Sequence, residues 1–340
     1  MSYSNIDKST NFFNTKLYTG NGSYGNSITG VGFQPDFIWI KNRDTTHSHR
    51  LSDAVRGTDK TLSSDNNSAE LSSVNLVHSF DSDGFTVDDD SAMNGNGNNI
   101  VAWNWKANGS STVTNNDGAT TSYISHNSTS QFSIIKYTGT GSNTNIGHGL
   151  NGKPDCFITK ALSASDWHMW HNSFSANDRI KLNSTAAKST NTSIFPTLPD
   201  ATKIYFGSGG DVNGSGVEYI CYAWKNVPGF SKFGVYSSNS NVDGGFIYTG
   251  FKVSFLLVTT YTTTGGWQMY DNKRNTSNPT GKYLRPDANN AEASGSNDID
   301  FLSNGFKTRT TLNPGTTDGF LYMAFGQSLV GSNNVPCTAR

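Results

Sequence analysis

Apolar residues recur in three similar stretches, each entered through a turn that contains Gly or Pro. The first is VGFQPDFIWIK at residues 31–41, and related stretches follow at residues 148–160 and 249–259. In this alignment Phe37 corresponds to Cys156 and Phe255. A turn that leads into a run of apolar, partly β-branched residues is typical of a buried strand. The chain is therefore predicted to contain one β-rich unit three times.

A second apolar pattern follows later in each unit. Apolar side chains occupy every other position in three short segments: Val101, Trp103 and Trp105; Ile220, Tyr222 and Trp224; Leu321, Met323 and Phe325. Alternation with a period of two indicates a strand with one face on a core. Trp105, Trp224 and Phe325 are accordingly predicted to be structural residues in equivalent buried places.

Short strands separated by frequent turn signals predict an all-β fold. We expect three tandem antiparallel β-sandwiches of a jelly-roll-like kind, related by an internal repeat. A polar N-terminal arm, expected to dock on a neighbouring subunit, precedes them, and a Ser/Thr/Asn-rich linker between the first two is expected to be flexible. The predicted divisions are the arm at 1–15, modules at 16–108, 131–228 and 229–330, the linker at 109–130, and a polar tail at 331–340.

Composition narrows the classes of protein further. Charged residues make up 15% of the 340 residues and the net charge is −1, which argues against a basic nucleic-acid surface. The 35 glycines suit many tight turns. No apolar run is long enough for a membrane span, and the N-terminus lacks the pattern of a signal peptide. The three cysteines, Cys156, Cys221 and Cys337, show no CxxC spacing, and Cys156 is expected to be a small buried residue.

Two groups of residues resemble metal ligands. The run DSDGFTVDDD at residues 81–90 is rich in carboxylates, but it lacks the full spacing and the distal Glu of an EF-hand. We interpret Asp81 and Asp83 as turn residues. His47 with His49, and His168 with His171, are close enough in sequence to share a metal, yet no third ligand accompanies them. The prediction is that no metal and no cofactor is bound.

The acidic residues do not form a recognisable catalytic pattern. Asp53 and Arg56 recur with the same spacing as Asp271 and Arg274, and repetition favours a hydrogen-bonded brace over catalysis. The glutamates are Glu70, Glu218 and Glu292, and the first and last fall at equivalent places in AE dipeptides. A glycosidase needs two carboxylates in one cleft, and this pattern does not indicate such a couple. No P-loop, dinucleotide fingerprint or GxSxG is found, so no catalytic residue is predicted.

Aromatic residues allow one binding hypothesis. Trp and Tyr rings on exposed loops can stack on sugar faces, while Asn, Asp and Gly can bond sugar hydroxyls. Trp103, Trp105 and Trp224 lie on alternating strands and are assigned to the core. Trp167, Trp170 and Trp267 do not follow such a strand pattern and are candidate glycan contacts.

Several long phrases resemble a family of virion proteins of marine bacteriophages, including SNIDKSTNFFNTKLYTGNGS, ITGVGFQPDFIWIKNR, HRLSDAVRG, FDSDGFTV, VAWNWKANG and NDIDFLSNGF. The resemblance covers nearly the whole chain. It implies a tail-fibre or other structural protein of the particle, built from a repeated β-rich domain, and it carries no catalytic residue.

The resulting expectation is a non-enzymatic virion protein on the particle surface, serving as a fibre, an adhesin or a capsid decoration. Its expected partners are other virion proteins, further copies of itself in a symmetric homo-oligomer, and host surface carbohydrate. Nucleic acid is not an expected partner. Assembly would take place in the bacterial cytoplasm. The alternative is a tail-borne depolymerase, which would require two spaced carboxylates in a cleft.

Overall fold

A computed structural model describes residues 4–109, 111–309 and 318–328, and its fold is all-β, as the sequence predicts. In the described part of the chain, helix is confined to the 3-10 turn Ser9–Asn11 and two four-residue helices, α1 (Ser91–Asn94) and α2 (Gly210–Asn213). No helix in these ranges has the length or apolarity to cross a bilayer.

The strands fall into three successive groups. The first group is β1 (Phe13–Thr19), β2 (Asn26–Thr29), β3 (Phe37–Asn42), β4 (Arg50–Asp53), β5 (Lys60–Thr61), β6 (Leu71–Ser72), β7 (Val77–Asp81), β8 (Gly84–Val87) and β9 (Asn99–Trp105). The second is β10 (Val113–Asn115), β11 (Ser122–Asn127), β12 (Phe132–Thr138), β13 (Thr144–Gly147), β14 (Cys156–Ala161), β15 (His168–His171), β16 (Asp178–Lys181), β17 (Ser189–Thr190), β18 (Lys203–Phe206) and β19 (Glu218–Trp224). The third is β20 (Ser231–Ser237), β21 (Phe246–Tyr248), β22 (Lys252–Thr260), β23 (Gln268–Asp271), β24 (Thr280–Tyr283), β25 (Ala293–Leu302), β26 (Gly305–Thr308) and β27 (Gly319–Gln327).

Each group contributes a main antiparallel sheet with the same strand order. The first main sheet is β1-β9-β3-β4, and the third is β20-β27-β22-β23. The second contains β12-β19-β14-β15 and is extended by β11 and β10 at one edge and by β16 and β17 at the other. Smaller sheets accompany the main ones: β2-β8-β7, β13-β18, β21-β26-β25-β24 and β5-β6.

The registers of the three main sheets also agree. Phe37 lies between Asp53 and Trp105 on the neighbouring strands. Cys156 lies between His171 and Trp224, and Phe255 lies between Asp271 and Phe325, at the corresponding positions. The positions aligned from the sequence therefore hold the same places in the sheets.

The central strands are buried on both faces. In β27, Leu321, Met323 and Phe325 belong to the main core, while the intervening Phe320, Tyr322 and Ala324 belong to a second core under the sheet of β21, β24, β25 and β26. The first main sheet has the same arrangement, with β2, β7 and β8 covering its outer face. A strand that is covered on both faces has a nearly continuous run of apolar residues, which explains the sequence FIWI in β3.

The main core is shared by all three main sheets. Phe13, Trp105, Phe255 and Phe325 meet there, with ring centroids 4.9 to 6.2 Å apart. Trp224 joins them 6.4 Å from Trp105. The inner faces of the three main sheets thus bury one another. The predicted division of the chain into three sandwich modules stays a prediction.

The segment 109–130 is not a flexible linker, and that expectation was wrong. It contains β10 and β11, and β11 pairs along its whole length with β12. Ser122 and Ser125 are fully buried, and their hydroxyls donate to the carbonyls of Gly147 and Gly109. Ser and Thr residues fit a strand when their hydroxyls find such acceptors, so a polar composition alone did not identify a loop.

The N-terminal arm contacts its own chain, contrary to the expectation that a neighbouring subunit holds it. Ile6 lies in the main core, and β1 begins at Phe13, inside the predicted arm. The amide of Ser9 donates to Oε1 of Gln327 at 2.7 Å, and Nε2 of Gln327 donates to the Asp7 carbonyl. The predicted tail at 331–340 lies outside the described residues.

Candidate binding groove

The repeated Asp–Arg pairs lie inside the molecule, where main sheets meet. Arg56 Nε donates to Asp53 Oδ2 at 2.5 Å, and Arg274 Nε donates to Asp271 Oδ2 at the same distance, with all four side chains fully buried. Burial alone would lower the pKa of Arg56, but Asp53, Tyr222 and Glu70 raise it above its usual value. Such pairs hold structure in place, because a buried charge is tolerated only with its partner.

Each pair is also bonded to the neighbouring main sheet. The Tyr222 hydroxyl donates to Asp53 Oδ2 at 2.7 Å, and Trp103 Nε1 donates to Asp271 Oδ2 at 3.1 Å. Tyr222 belongs to the second main sheet and Trp103 to the first. The two pairs therefore connect the second sheet to the first and the first sheet to the third.

The third junction is built differently. His171 and Phe174 take the places of Asp and Arg, and the Phe174 ring packs 5.9 Å from Tyr261 of the third group of strands. His171 Nδ1 lies 2.8 Å from the Ser173 hydroxyl, and its Nε2 faces the Tyr322 backbone without a well-formed hydrogen bond. Burial lowers the pKa of His171 to about 4. This junction is held by apolar contacts and a neutral imidazole.

The glutamates are each paired with basic side chains at separate places. Glu70 accepts from Arg56, and Glu218 lies 2.8 Å from Lys136 at the surface. Glu292 accepts from both Arg43 and Arg274. These pairings leave the three glutamates as charge partners, and none of them faces another across a cleft.

The predicted glycan contacts at Trp167, Trp170 and Trp267 were wrong, because all three side chains are fully buried. Trp167 Nε1 donates to the Ser63 carbonyl, and Trp267 Nε1 donates to the Lys181 carbonyl. The Lys153 ammonium lies over the Trp170 ring, 5.1 Å from its centroid. A sugar cannot reach these rings, which pack where the sheets adjoin.

The acidic run forms turns. Asp83 accepts from the amides of Gly30 and Gly32 at 3.0 and 2.7 Å, and these bonds hold its pKa below the ordinary value. Asp81 Oδ2 accepts from the Thr86 hydroxyl. The two carboxylates therefore serve different partners and do not converge on a common point.

One group of side chains, Asp166, His168 and Asp211, brings a donor atom from each residue within 4.8 Å of the others. Arg179 Nη1 lies 3.0 Å from His168 Nδ1, and a guanidinium only donates, so Nδ1 must accept. The ring proton is then on Nε2, 3.2 Å from Asp211 Oδ2, and that nitrogen has no lone pair for a metal. The Lys181 ammonium lies 2.5 Å from Asp166 Oδ2 and balances the negative charge of that carboxylate. The cluster is a set of hydrogen bonds around a neutral imidazole, with one ion pair between Lys181 and Asp166.

The other histidine pair does not form a ligand set either. His49 is fully buried and its Nδ1 accepts from Trp39 Nε1 at 2.9 Å, while His47 is partly exposed. Burial lowers the pKa of His49 well below its ordinary value, and Lys41 adds to the effect. His49 is therefore a neutral core residue.

A surface groove that the sequence did not predict crosses the connection between the second and third groups of strands. It consists of two depressions of about 430 and 490 Å³ that share Lys225, Asn226 and Pro228. We call it the Lys225 groove. The first depression is further lined by Asn5, Ser128, Thr129, Gln131, Asn151 and Val227, and the second by Gly229, Ser231, Lys232, Tyr248, Thr249 and Gly250.

Sequence reasoning missed this groove because its wall comes from separate strands. Lys225 follows β19, whereas Tyr248 ends β21 and is half exposed. The available signal was the alternation in β21, where buried Ile247 separates exposed Phe246 and Tyr248. Two aromatic residues on the open face of an edge strand are an indication of a contact surface.

Comparison with known proteins gives a family without a described activity. No curated protein and no solved structure is significantly similar to the chain. One family match spans residues 8–328, across all three groups of strands and the shared main core. With most of its 340 residues covered, the chain is a member of the family described as Domain of unknown function (DUF7483).

Proposed function

We propose that the chain is a non-enzymatic structural protein of a bacteriophage particle. In this proposal it is exposed at the particle surface as a fibre, an adhesin or a capsid decoration, where it contacts host surface sugars. The resemblance of its long sequence phrases to phage virion proteins supports the proposal. Its interlocked sheets suit a part that must keep its shape outside the cell.

The residues that line the surface grooves are the observation that supports a non-enzymatic role. In the part of the chain made up of residues 4–109, 111–309 and 318–328, five surface grooves have linings without Asp or Glu. A depolymerase acting by glycoside hydrolysis would present two carboxylates across such a groove. The grooves instead offer amides, hydroxyls and ammonium groups, which bind a ligand without hydrolysing it.

The proposed partners are other virion proteins and further copies of this chain. Assembly would occur in the bacterial cytoplasm, and a symmetric homo-oligomer, with trimeric symmetry as the first choice for an appendage, would be the form on the particle. Ser9 and Phe12 of the arm contact their own chain, so the proposal places the contacts between subunits on surfaces outside these two residues.

Labelling and activity measurements test the proposal together. Antibodies raised against the folded chain should decorate intact, purified particles, and protein mass spectrometry should find the chain in them at a fixed copy number. Incubation with host surface polysaccharide should release no new reducing ends. Absence from the particle would contradict the structural role. Reproducible release of sugar, abolished by one Asp or Glu substitution, would establish the depolymerase instead.

A further inference from the structure

The Lys225 groove has an unusual balance of hydrogen-bonding groups. Lys225 and Lys232 contribute ammonium groups, and no Asp or Glu lines either depression. The Lys225 ammonium makes no hydrogen bond or ion pair among the described residues, whereas its backbone amide donates to the Gln131 carbonyl and its backbone carbonyl accepts from the Ser231 hydroxyl. Two cations without a facing carboxylate leave a positive potential, which favours a negatively charged ligand.

Asn226 adds a directed donor. Its Oδ1 accepts from the Phe233 amide at 2.7 Å, and its own amide donates to Asp155, so both the backbone and the side-chain oxygen are fixed. The Nδ2 group makes no hydrogen bond among the described residues, and Asn226 lines both depressions together with Lys225. An ammonium and an amide N–H side by side can bind both oxygens of one carboxylate.

The second depression adds an aromatic wall. The Tyr248 side chain is half exposed, and the Lys232 ammonium lies 5.4 Å from its ring centroid. Lys232 Nζ also donates to the Tyr248 carbonyl at 2.7 Å, which holds the lysine against the ring. The groove therefore places a cation next to an aromatic surface, as needed for a ligand that has both charge and an apolar face.

The first depression is lined by neutral hydrogen-bonding groups. Ser128, Thr129 and Asn151 supply hydroxyls and an amide, and Gln131 is fixed because it donates to the Ser128 carbonyl and accepts from the Asn151 amide. Because this depression adjoins the one with Tyr248, a linear ligand can run through both. One part of the ligand would contact the hydroxyl and amide groups of the first depression, and the next part would contact the ammonium groups.

We propose that the Lys225 groove binds a linear polysaccharide that carries carboxylates, that is, a polymer of uronic acids. Lys225 and Asn226 hold one sugar carboxylate, the Tyr248 ring lies along a sugar face, and the Ser128, Thr129 and Asn151 side chains bond ring hydroxyls. This inference rests on the proposed function, because a position on the particle surface is what exposes the groove to host sugars. It names the class of sugar and the site.

Binding to the purified full-length chain tests this inference without the particle. Isothermal titration with uronic-acid oligosaccharides should give saturable binding, whereas neutral glucose oligosaccharides of equal length should bind at least roughly tenfold more weakly. Lys225→Gln should weaken uronate binding by roughly tenfold or more, as expected when one charge-assisted contact is lost. Lys232→Gln provides a second variant with the same expectation. Thermal unfolding confirms that each variant is folded.

Lys282→Gln is the matched control, since it removes the same charge from an exposed lysine outside both depressions. It should leave binding unchanged. Equal weakening by Lys225→Gln and Lys282→Gln would show non-specific charge attraction and overturn the site. No binding of uronate, or tighter binding of a sulfated glucan, would overturn the sugar class. Absence of the chain from particles would refute the proposed function but leave a positive titration standing.

Discussion

Trp103 Nε1 donates a hydrogen bond of 3.1 Å to Oδ2 of Asp271, a residue 168 positions later in the chain. The bond joins the first main sheet to the third, and the Arg274 guanidinium lies over the same indole, 5.4 Å from its ring centroid. Tyr222 and Asp53 make the corresponding connection between the second sheet and the first. The three main sheets are thus linked through buried polar contacts as well as through the main core.

Removing the Tyr222 hydroxyl tests one of these links. Tyr222→Phe keeps the ring that stacks 4.3 Å from Phe37, but it removes the donor to Asp53. A buried hydrogen bond to a charged group contributes about 2 kcal/mol, so the free energy of unfolding in urea should fall by about that amount. Tyr205→Phe is the control, because its hydroxyl bonds Asp200 at the same 2.7 Å but near the surface. Equal effects of the two changes would refute a special role for the junction.

Stability should depend on pH through His171. Burial lowers the pKa of His171 from 6.5 to about 4, so the folded chain keeps the ring neutral where the unfolded chain protonates it. The unfolded state therefore binds more protons between pH 6.5 and 4, and stability is lost as the pH falls through this window, by roughly 3 kcal/mol in total. His171→Leu should reduce this slope in urea unfolding curves measured at several pH values. An unchanged slope would show that the ring is not held neutral.

The N-terminal segment should be needed for folding. Phe13 packs within 5.5 Å, between ring centroids, of Trp105, Phe255 and Phe325, so Phe13→Ala should lower the free energy of unfolding by about 4 kcal/mol. Phe246→Ala removes a half-exposed ring and should have a much smaller effect. Deletion of residues 1–14 should likewise destabilise the chain, because it removes Phe13 from β1. A truncated chain with the melting temperature of the full chain would contradict the packing.

Metal removal should leave stability unchanged. Asp83 is bonded to the Gly30 and Gly32 amides, and Asp166 and Asp211 are bonded to Lys181 and His168. These acceptors therefore already have partners from the chain. The melting temperature should be the same with a chelator and with millimolar calcium. A clear shift with either addition would indicate an ion at one of these groups.

The sequence predicted features that depend on local spacing. The alignment of Phe37, Cys156 and Phe255 reappears in the register of the strands, because a turn followed by alternating residues fixes which strand positions face inward. The three-residue spacing of Asp53 and Arg56 likewise sufficed to pair them, since the turn after β4 brings the two side chains together. Both features are determined within one unit.

Contacts between different units could not be predicted from local spacing in the sequence. The alternation of Trp103 and Trp105 indicates one buried face, but it does not identify the residue across the core, and Asp271 was not predicted as the partner of Trp103. Trp167, Trp170 and Trp267 were candidate surface contacts because they do not follow the alternating pattern of the predicted strands. They are buried by residues that are distant in sequence, and Trp167 bonds the Ser63 carbonyl while Trp267 bonds the Lys181 carbonyl. The Lys225 groove was missed for the same reason.

A near-atomic map of the phage particle tests the proposed function most directly. The account predicts density for this chain on the outer surface, in several symmetric copies, with Lys225 and Tyr248 facing the solvent. The same particles soaked with uronic-acid oligosaccharide should show sugar in the Lys225 groove. A particle whose surface proteins are all accounted for without this chain would contradict the account, as would a position inside the capsid with the groove covered.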